Sequence, residues 1–132
     1  MGYRKLHVYN KGFRLSLELH RLTMTFPRHE LYELGSQLRR AAISIPLNIA
    51  EGYGRRHYKQ DYKKFLITAQ GSSNEVVVLL EMIIALGYIN QKEYINLREA
   101  YVYLGRQLNR LINLLQEERV KESSVKYRIY KC

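Results

Sequence analysis

Between Gln37 and Gly54 the chain reads QLRRAAISIPLNIAEGYG, a helical pattern with a proline in its middle. Leu34, Leu38, Ala42, Ile45 and Ile49 recur every three or four residues and share one face, while Gln37, Ala41, Ser44, Asn48 and Glu51 form a second stripe beside it. Pro46 removes a backbone donor and crowds the preceding turn, at a cost of roughly 3 kcal/mol in a plain helix interior. Both stripes keep their phase across residue 46, so the pattern predicts a kinked but continuous helix, with the Ser44 hydroxyl donating to a carbonyl left without its partner. Gly52 and Gly54 close it, because glycine reaches the left-handed conformation at little steric cost. An apolar stripe with a polar one alongside is expected where helices pack together. The polar residues Gln37, Arg40, Ser44, Asn48 and Glu51, with Ser72 and Glu75 from a following helix, are therefore predicted to form a seam that fixes helix register, each carboxylate being held by a cation or by hydroxyl and amide groups.

The rest of the chain supplies partners for this helix. Val8, Gly12, Leu15, Leu19, Leu22 and Phe26 predict a first helix from about Leu6 to Phe26, stopped by Pro27. Tyr62, Leu66, Ala69, Ser73, Val76, Leu80 and Ile83 predict a third from about Gln60 or Asp61 to Leu86, capped by Gly87. Tyr94, Leu97, Tyr101, Leu104, Leu108, Leu111 and Leu115 alternate at three and four residues, a heptad pattern suited to left-handed packing. Four long helices with short connections make an all-α antiparallel up-down four-helix bundle over residues 1–117, with 118–132 as a flexible basic tail. Gly12, Gly71 and Gly105 lie in helix interiors, where each costs about 1 kcal/mol relative to Ala, so close helix approach is expected at all three. The apolar stripes of the third and fourth helices are broader than one bundle can hide, which predicts self-association.

The chain of 132 residues is long enough for one compact core, and its formal charge of +10 with a pI near 9.8 directs attention to polyanionic partners. The one cysteine, Cys132, leaves no internal disulfide to form. No apolar segment reaches the length of a membrane span and the amino terminus lacks a signal-peptide core, so the expectation is a cytoplasmic protein that does not engage membranes.

Catalytic patterns are poor. The four histidines, at 7, 20, 29 and 57, show no helical metal-ligand spacing, and the glycines at 52 and 54 have no strand before them and no Lys-Ser or Lys-Thr after. Glu51 and Glu75 facing one another across two helices would be the sole carboxylate pair to consider for acid/base work, and a structural role outweighs it. Neither enzyme activity, nor a metal, nor a cofactor is expected. The remaining signal is the segment RRHYKQDYKK, where Arg55, Arg56, Lys59, Lys63 and Lys64 alternate with tyrosines. A solvated turn explains such a run equally well. In a chain this basic, the cations are candidates to neutralise phosphates and the rings to stack on unpaired bases, with Arg4, Lys5, Lys11 and Arg14 as contributors. No sequence-reading module is present, so binding of RNA or DNA is expected to be mainly electrostatic, with low sequence selectivity.

The ordered segments FPRHELYEL, QLRRAAISIPLNIAEGYGR, DYKKFLITAQGSSNE and LGYI resemble the bacterial four-helix-bundle proteins encoded in 23S rRNA intervening sequences, over roughly residues 6–116. The arginine pair through SIP-x-NIAEG carries most of the likeness. Ser73-Asn74 departs from it, standing where a more apolar residue is the rule. The resemblance implies a homopentameric barrel. The accessory variability determinant of diversity-generating retroelements is similar, and it implies an alternative: an adaptor that docks a reverse transcriptase or another partner protein, with nucleic acid secondary.

Overall fold

The structure is a computed structural model that describes the backbone of residues 2–131 and the side chains of residues 2–117. A single 3-10 turn, Gly2–Lys5, leads into α1 (His7–Thr23); α2 (Arg28–Leu31) is one turn; and three long helices follow, α3 (Leu34–Gly54), α4 (Lys59–Ala85) and α5 (Gln91–Lys131). The four long helices form a four-helix bundle in which α1 packs on α3, α3 on α4 and α4 on α5, while α1 and α5 meet more sparsely. Each packed pair runs antiparallel. Gly12 meets Ile45 and Thr23 meets Arg39 between α1 and α3, Gly52 meets Phe65 and Ser44 meets Ser72 between α3 and α4, and Ser73 meets Gly105 and Glu81 meets Arg98 between α4 and α5.

The helix ends have local causes. α1 stops three residues short of the predicted Phe26 because Met24, Thr25 and Phe26 each donate to the carbonyl three residues back, and the Thr23 and Thr25 hydroxyls bond to His20 and Leu22 carbonyls in the same manner. These tighter bonds unwind the last turn before Pro27 disfavours further helix at Phe26. Arg39 then pins the hook that follows, donating to the Thr23 hydroxyl at 2.8 Å and the Leu31 carbonyl at 3.0 Å. Gly87, at φ +81°, closes α4 as predicted: its N–H reaches the Ile84 carbonyl and that of Tyr88 reaches Ile83. α5 starts three residues earlier than the heptad suggests. Asn90 accepts from the Glu93 N–H at 2.8 Å and donates to the Glu93 carboxylate at 3.0 Å, a reciprocal cap. The segment expected to be a flexible tail carries on as helix to Lys131, in keeping with its Glu, Lys and Arg content, and its side chains lie outside the described residues.

α3 is continuous through Pro46. The ring is buried against α1, where Gly12 leaves it room: a Cβ on Gly12 would stand 3.1 Å from Ile45 Cγ2 and 3.6 Å from Pro46 Cδ. The missing donor thus faces a helix contact rather than solvent. The core on either side is fully excluded from water, with Leu19, Leu38, Ala42, Ile45, Ile49, Leu66, Ala69, Val76, Leu80, Ile83, Leu104 and Leu108 at its centre. Full burial of a Leu or Ile side chain contributes about 1.5–3 kcal/mol, ample to offset one lost backbone bond.

Of the three interior glycines, Gly12 meets the expectation of close approach, Gly105 sits at an ordinary 3.5 Å from Ser73 Oγ, and Gly71 has nothing within 4 Å. Gly71 lies on the side of α4 turned away from the core, in line with the exposed side chains of Ile67, Val78 and Met82. On α3, Ile43 and Leu47 are likewise exposed on the side opposite the core. Exposed apolar side chains are thus present on the third predicted helix, α4, and on the fourth, α5, where Ile95, Tyr103 and Leu114 are exposed, while α3 adds surface that the stripes did not single out.

Candidate nucleic-acid interface

The expected polar seam divides in two. Ser72 Oγ and Ser44 Oγ lie 2.8 Å apart, and Asn48 Nδ2 donates to both the carbonyl and the hydroxyl of Ser44, at 2.7 and 2.9 Å. This cluster joins α3 to α4. It also corrects the expectation for Ser44, whose hydroxyl is engaged by Ser72 and Asn48 instead of repairing the gap left by Pro46. Gln37, Arg40, Glu51 and Glu75 are exposed and take no part in it. Glu51 reaches Arg55 at 3.5 Å, one turn along α3, with both side chains about half in solvent. At about 100° per residue, positions 37, 44, 48 and 51 all lie within about 60° of one another on α3, so phase does not separate them; what separates them is which ones α4 covers. The departure at Ser73 has a positive use, since its buried hydroxyl donates to the Tyr101 carbonyl of α5 at 2.8 Å.

The residues most distinctive in the sequence are thus spent on packing. Pro46 fits against Gly12, Ser44 and Asn48 tie α3 to α4, and Gly52 lets α4 approach so closely that a Cβ there would stand 2.8 Å from Phe65 Cβ and 3.1 Å from Tyr62. Among the described residues no group of three His, Cys, Asp or Glu is placed to hold a metal ion, and no helix is long and apolar enough to cross a membrane.

The basic residues are spread over two places. One is the end of the bundle where the 3-10 turn meets the turn between α3 and α4. There Tyr53, half-buried, packs edge-on against buried Tyr62 with ring centroids 6.3 Å apart. The Arg56 guanidinium lies 4.4 Å from the centre of the Tyr53 ring while donating to the Tyr53 carbonyl at 3.1 Å, and Lys5 Nζ approaches the same ring at 6.0 Å. Arg4 stands over Tyr3 at 5.1 Å. Neither Lys5 nor Arg56 has a carboxylate within 4 Å among the described residues. Burial and then the neighbouring Tyr53 push the Tyr62 phenol above its ordinary pKa, with Arg56 acting in the opposite direction. Lys59, Lys63 and Lys64 continue the basic surface along the first turns of α4.

Arg55, counted from the sequence among the phosphate-contacting cations, sits between Glu51 at 3.5 Å and Asp61 at 3.7 Å, with its guanidinium over the Phe65 ring at 5.3 Å. Two half-exposed carboxylates offset part of its charge and tie it to both ends of the turn between α3 and α4. The second place is a cleft of about 370 Å³ between α1 and α5, which holds Lys11 and Arg14 together with Glu18 and Glu93. Lys11 lies over the Tyr103 ring at 4.2 Å; burial, then the nearby Arg14, lower its pKa. Sequence reasoning grouped these nine cations by composition and missed what sorts them, namely the rings of Tyr53 and Tyr103 and the carboxylates beside Arg55. The sole local signal was Glu51 four residues before Arg55.

The model of the 23S rRNA-intervening sequence protein family matches residues 4–110, most of the chain. The chain belongs to that family. A crystal structure of a protein of unknown function from the S23 ribosomal protein family of Bacteroides thetaiotaomicron VPI-5482 is similar to this intervening-sequence protein, with a TM-score of 0.74 and 21% sequence identity over 86% of this chain and 99% of that one. At that identity the likeness shows the fold alone. No curated protein matches the chain.

Proposed function

We propose that this intervening-sequence protein is a non-catalytic, cytoplasmic nucleic-acid-binding protein that works as an assembly of identical copies, five in the reading that the family resemblance favours. Binding of RNA or DNA is mainly electrostatic and weakly selective for sequence. The observation that carries this is the pair Lys5 and Arg56, brought from opposite ends of the first half of the chain to one tyrosine ring, with no carboxylate within 4 Å of either among the described residues. Cations fixed on a ring lose less freedom on meeting a phosphate than cations on open chain, and each still has donors to give. Arg4, Lys59, Lys63 and Lys64 extend the surface, with Lys11 and Arg14 as outlying contributors. Five copies of a +10 chain carry +50, a charge that attracts polyanions strongly at low salt.

A second reading has its own support. The outward apolar faces of α3 and α4 suit a protein partner, either further copies of this chain or a polymerase such as a reverse transcriptase, the partner that the resemblance to the retroelement accessory protein implies. Charge reversal separates the two. Lys5→Glu with Arg56→Glu is expected to abolish binding to structured RNA at low salt while leaving assembly and melting temperature unchanged. Unchanged RNA binding by that double variant contradicts the nucleic-acid reading, and co-purification of a protein partner that survives nuclease and high salt favours the adaptor.

A further inference from the structure

The turn between α3 and α4 carries one side chain that neither packing nor charge explains. Tyr58 is 72% exposed, yet its backbone is fixed on both sides: its N–H donates to the Arg55 carbonyl at 2.8 Å and its carbonyl accepts from the Tyr62 N–H at 3.0 Å, the first bond of α4. Among the described residues no ring or cation packs on it, whereas Tyr3, Tyr9, Tyr53, Tyr62, Tyr88 and Tyr103 are each engaged by an aromatic or a cation. A large ring displayed in water from a rigid turn, two residues from Arg56 and next to Lys59, is a stacking platform beside a phosphate-binding surface.

Resting on the nucleic-acid reading above, we infer that this turn distinguishes single-stranded from double-stranded nucleic acid. Tyr58 stacks on an unpaired base, and Arg56 and Lys5, gathered on Tyr53, hold the phosphates of the same strand. A duplex keeps its bases stacked on one another and offers a tyrosine no free face, so it gains from the cations alone. A tyrosine has two side-chain torsions to order and a backbone already fixed, which keeps the entropic cost of the contact low. An unpaired base is the common chemistry of an RNA loop and a melted DNA strand.

The test uses the full chain with a short single strand carrying a 2-aminopurine, as RNA and as DNA of the same sequence, and a hairpin duplex of matching charge. Affinity is read by fluorescence anisotropy and stacking by quenching of the 2-aminopurine. For the wild-type protein the single strand is bound more tightly than the duplex and the probe is quenched. Tyr58→Ala weakens single-strand binding about ten-fold and removes the quench, while duplex affinity moves by less than about two-fold; Tyr58→Phe retains both signals. This pattern with the RNA strand, the DNA strand or both supports the inference and tells which source of single strand the turn accepts. Equal affinity of the wild-type protein for strand and duplex, or a quench that persists in Tyr58→Ala, overturns it and leaves the electrostatic reading standing. Absence of binding to every probe at low salt overturns both.

Discussion

Gly52 of α3 and Phe65 of α4 stand so close that a Cβ on the glycine would lie 2.8 Å from the Cβ of the phenylalanine. Since the neighbouring atom belongs to the stem of a side chain anchored on a helix, it has little freedom to give way. Gly52→Ala therefore gains up to about 1 kcal/mol in helix propensity and loses about 1–3 kcal/mol to overpacking. Thermal or urea unfolding of Gly52→Ala is expected to show net destabilisation. Gly54→Ala, with nothing within 4 Å, should stay within about 0.5 kcal/mol of wild type.

Tyr101 fills the centre of the core, and its hydroxyl is buried without a hydrogen-bond partner among the described residues. Tyr101→Phe deletes an uncompensated polar group and should be neutral or stabilising, by up to about 1–2 kcal/mol. The same hydroxyl gives a pH dependence. Burial, and after it the Glu18 carboxylate, hold its proton on far above the ordinary phenol range. The folded state keeps that proton where the unfolded chain begins to lose it, near pH 10, so the stability present below about pH 10 is lost as pH rises. Denaturant midpoints measured from neutral to alkaline pH should fall for the wild type and fall less for Tyr101→Phe.

The polar stripe on α3 makes opposite forecasts for its middle and its end. Asn48→Ala removes two donors from Ser44 at the contact with α4 and should cost about 1 kcal/mol or more. Glu51→Ala breaks a half-exposed pair with Arg55 and should cost well under 1 kcal/mol. A Glu51 buried with its cation in a seam would instead cost a few kcal/mol on truncation. Urea melts of the two variants side by side decide between these.

That contrast shows how much was legible in the chain. Periodicity located all four long helices, the continuity of α3 across Pro46 and the Gly87 cap, because those are local patterns on a single helix. It placed the ends of α1 and α5 less well, since two threonines bonding backward and an Asn-x-x-Glu cap act more subtly than an apolar stripe. What lay beyond reach was which stripe residues a second helix would cover. Ser44 and Glu51 look alike in phase, and only the line of contact with α4 separates them. The same holds for the cations: Arg55 and Arg56 are adjacent in sequence, yet one is enclosed by Glu51 and Asp61 and the other lies on Tyr53.

The outward face of α4 yields a forecast about assembly. Ile67, Gly71, Val78 and Met82 line one exposed face of α4, which Glu75 also shares, and Val78 is 55% exposed. If copies of the chain associate through it, Val78→Arg should lower the mass found by light scattering from five times the 15.7 kDa chain toward one, with helical content unchanged. A mass that is the same for wild type and variant excludes this face from the contact.

The most direct measurement is the affinity for a structured RNA as a function of salt. Clustered cations that contact six or more phosphates predict a fall of about a thousand-fold or more between about 50 and 200 mM monovalent salt, with a straight line on logarithmic axes whose slope lessens in Lys5→Ala and Arg56→Ala. Affinity that is flat across that range, or no binding at its lower end, would contradict the account.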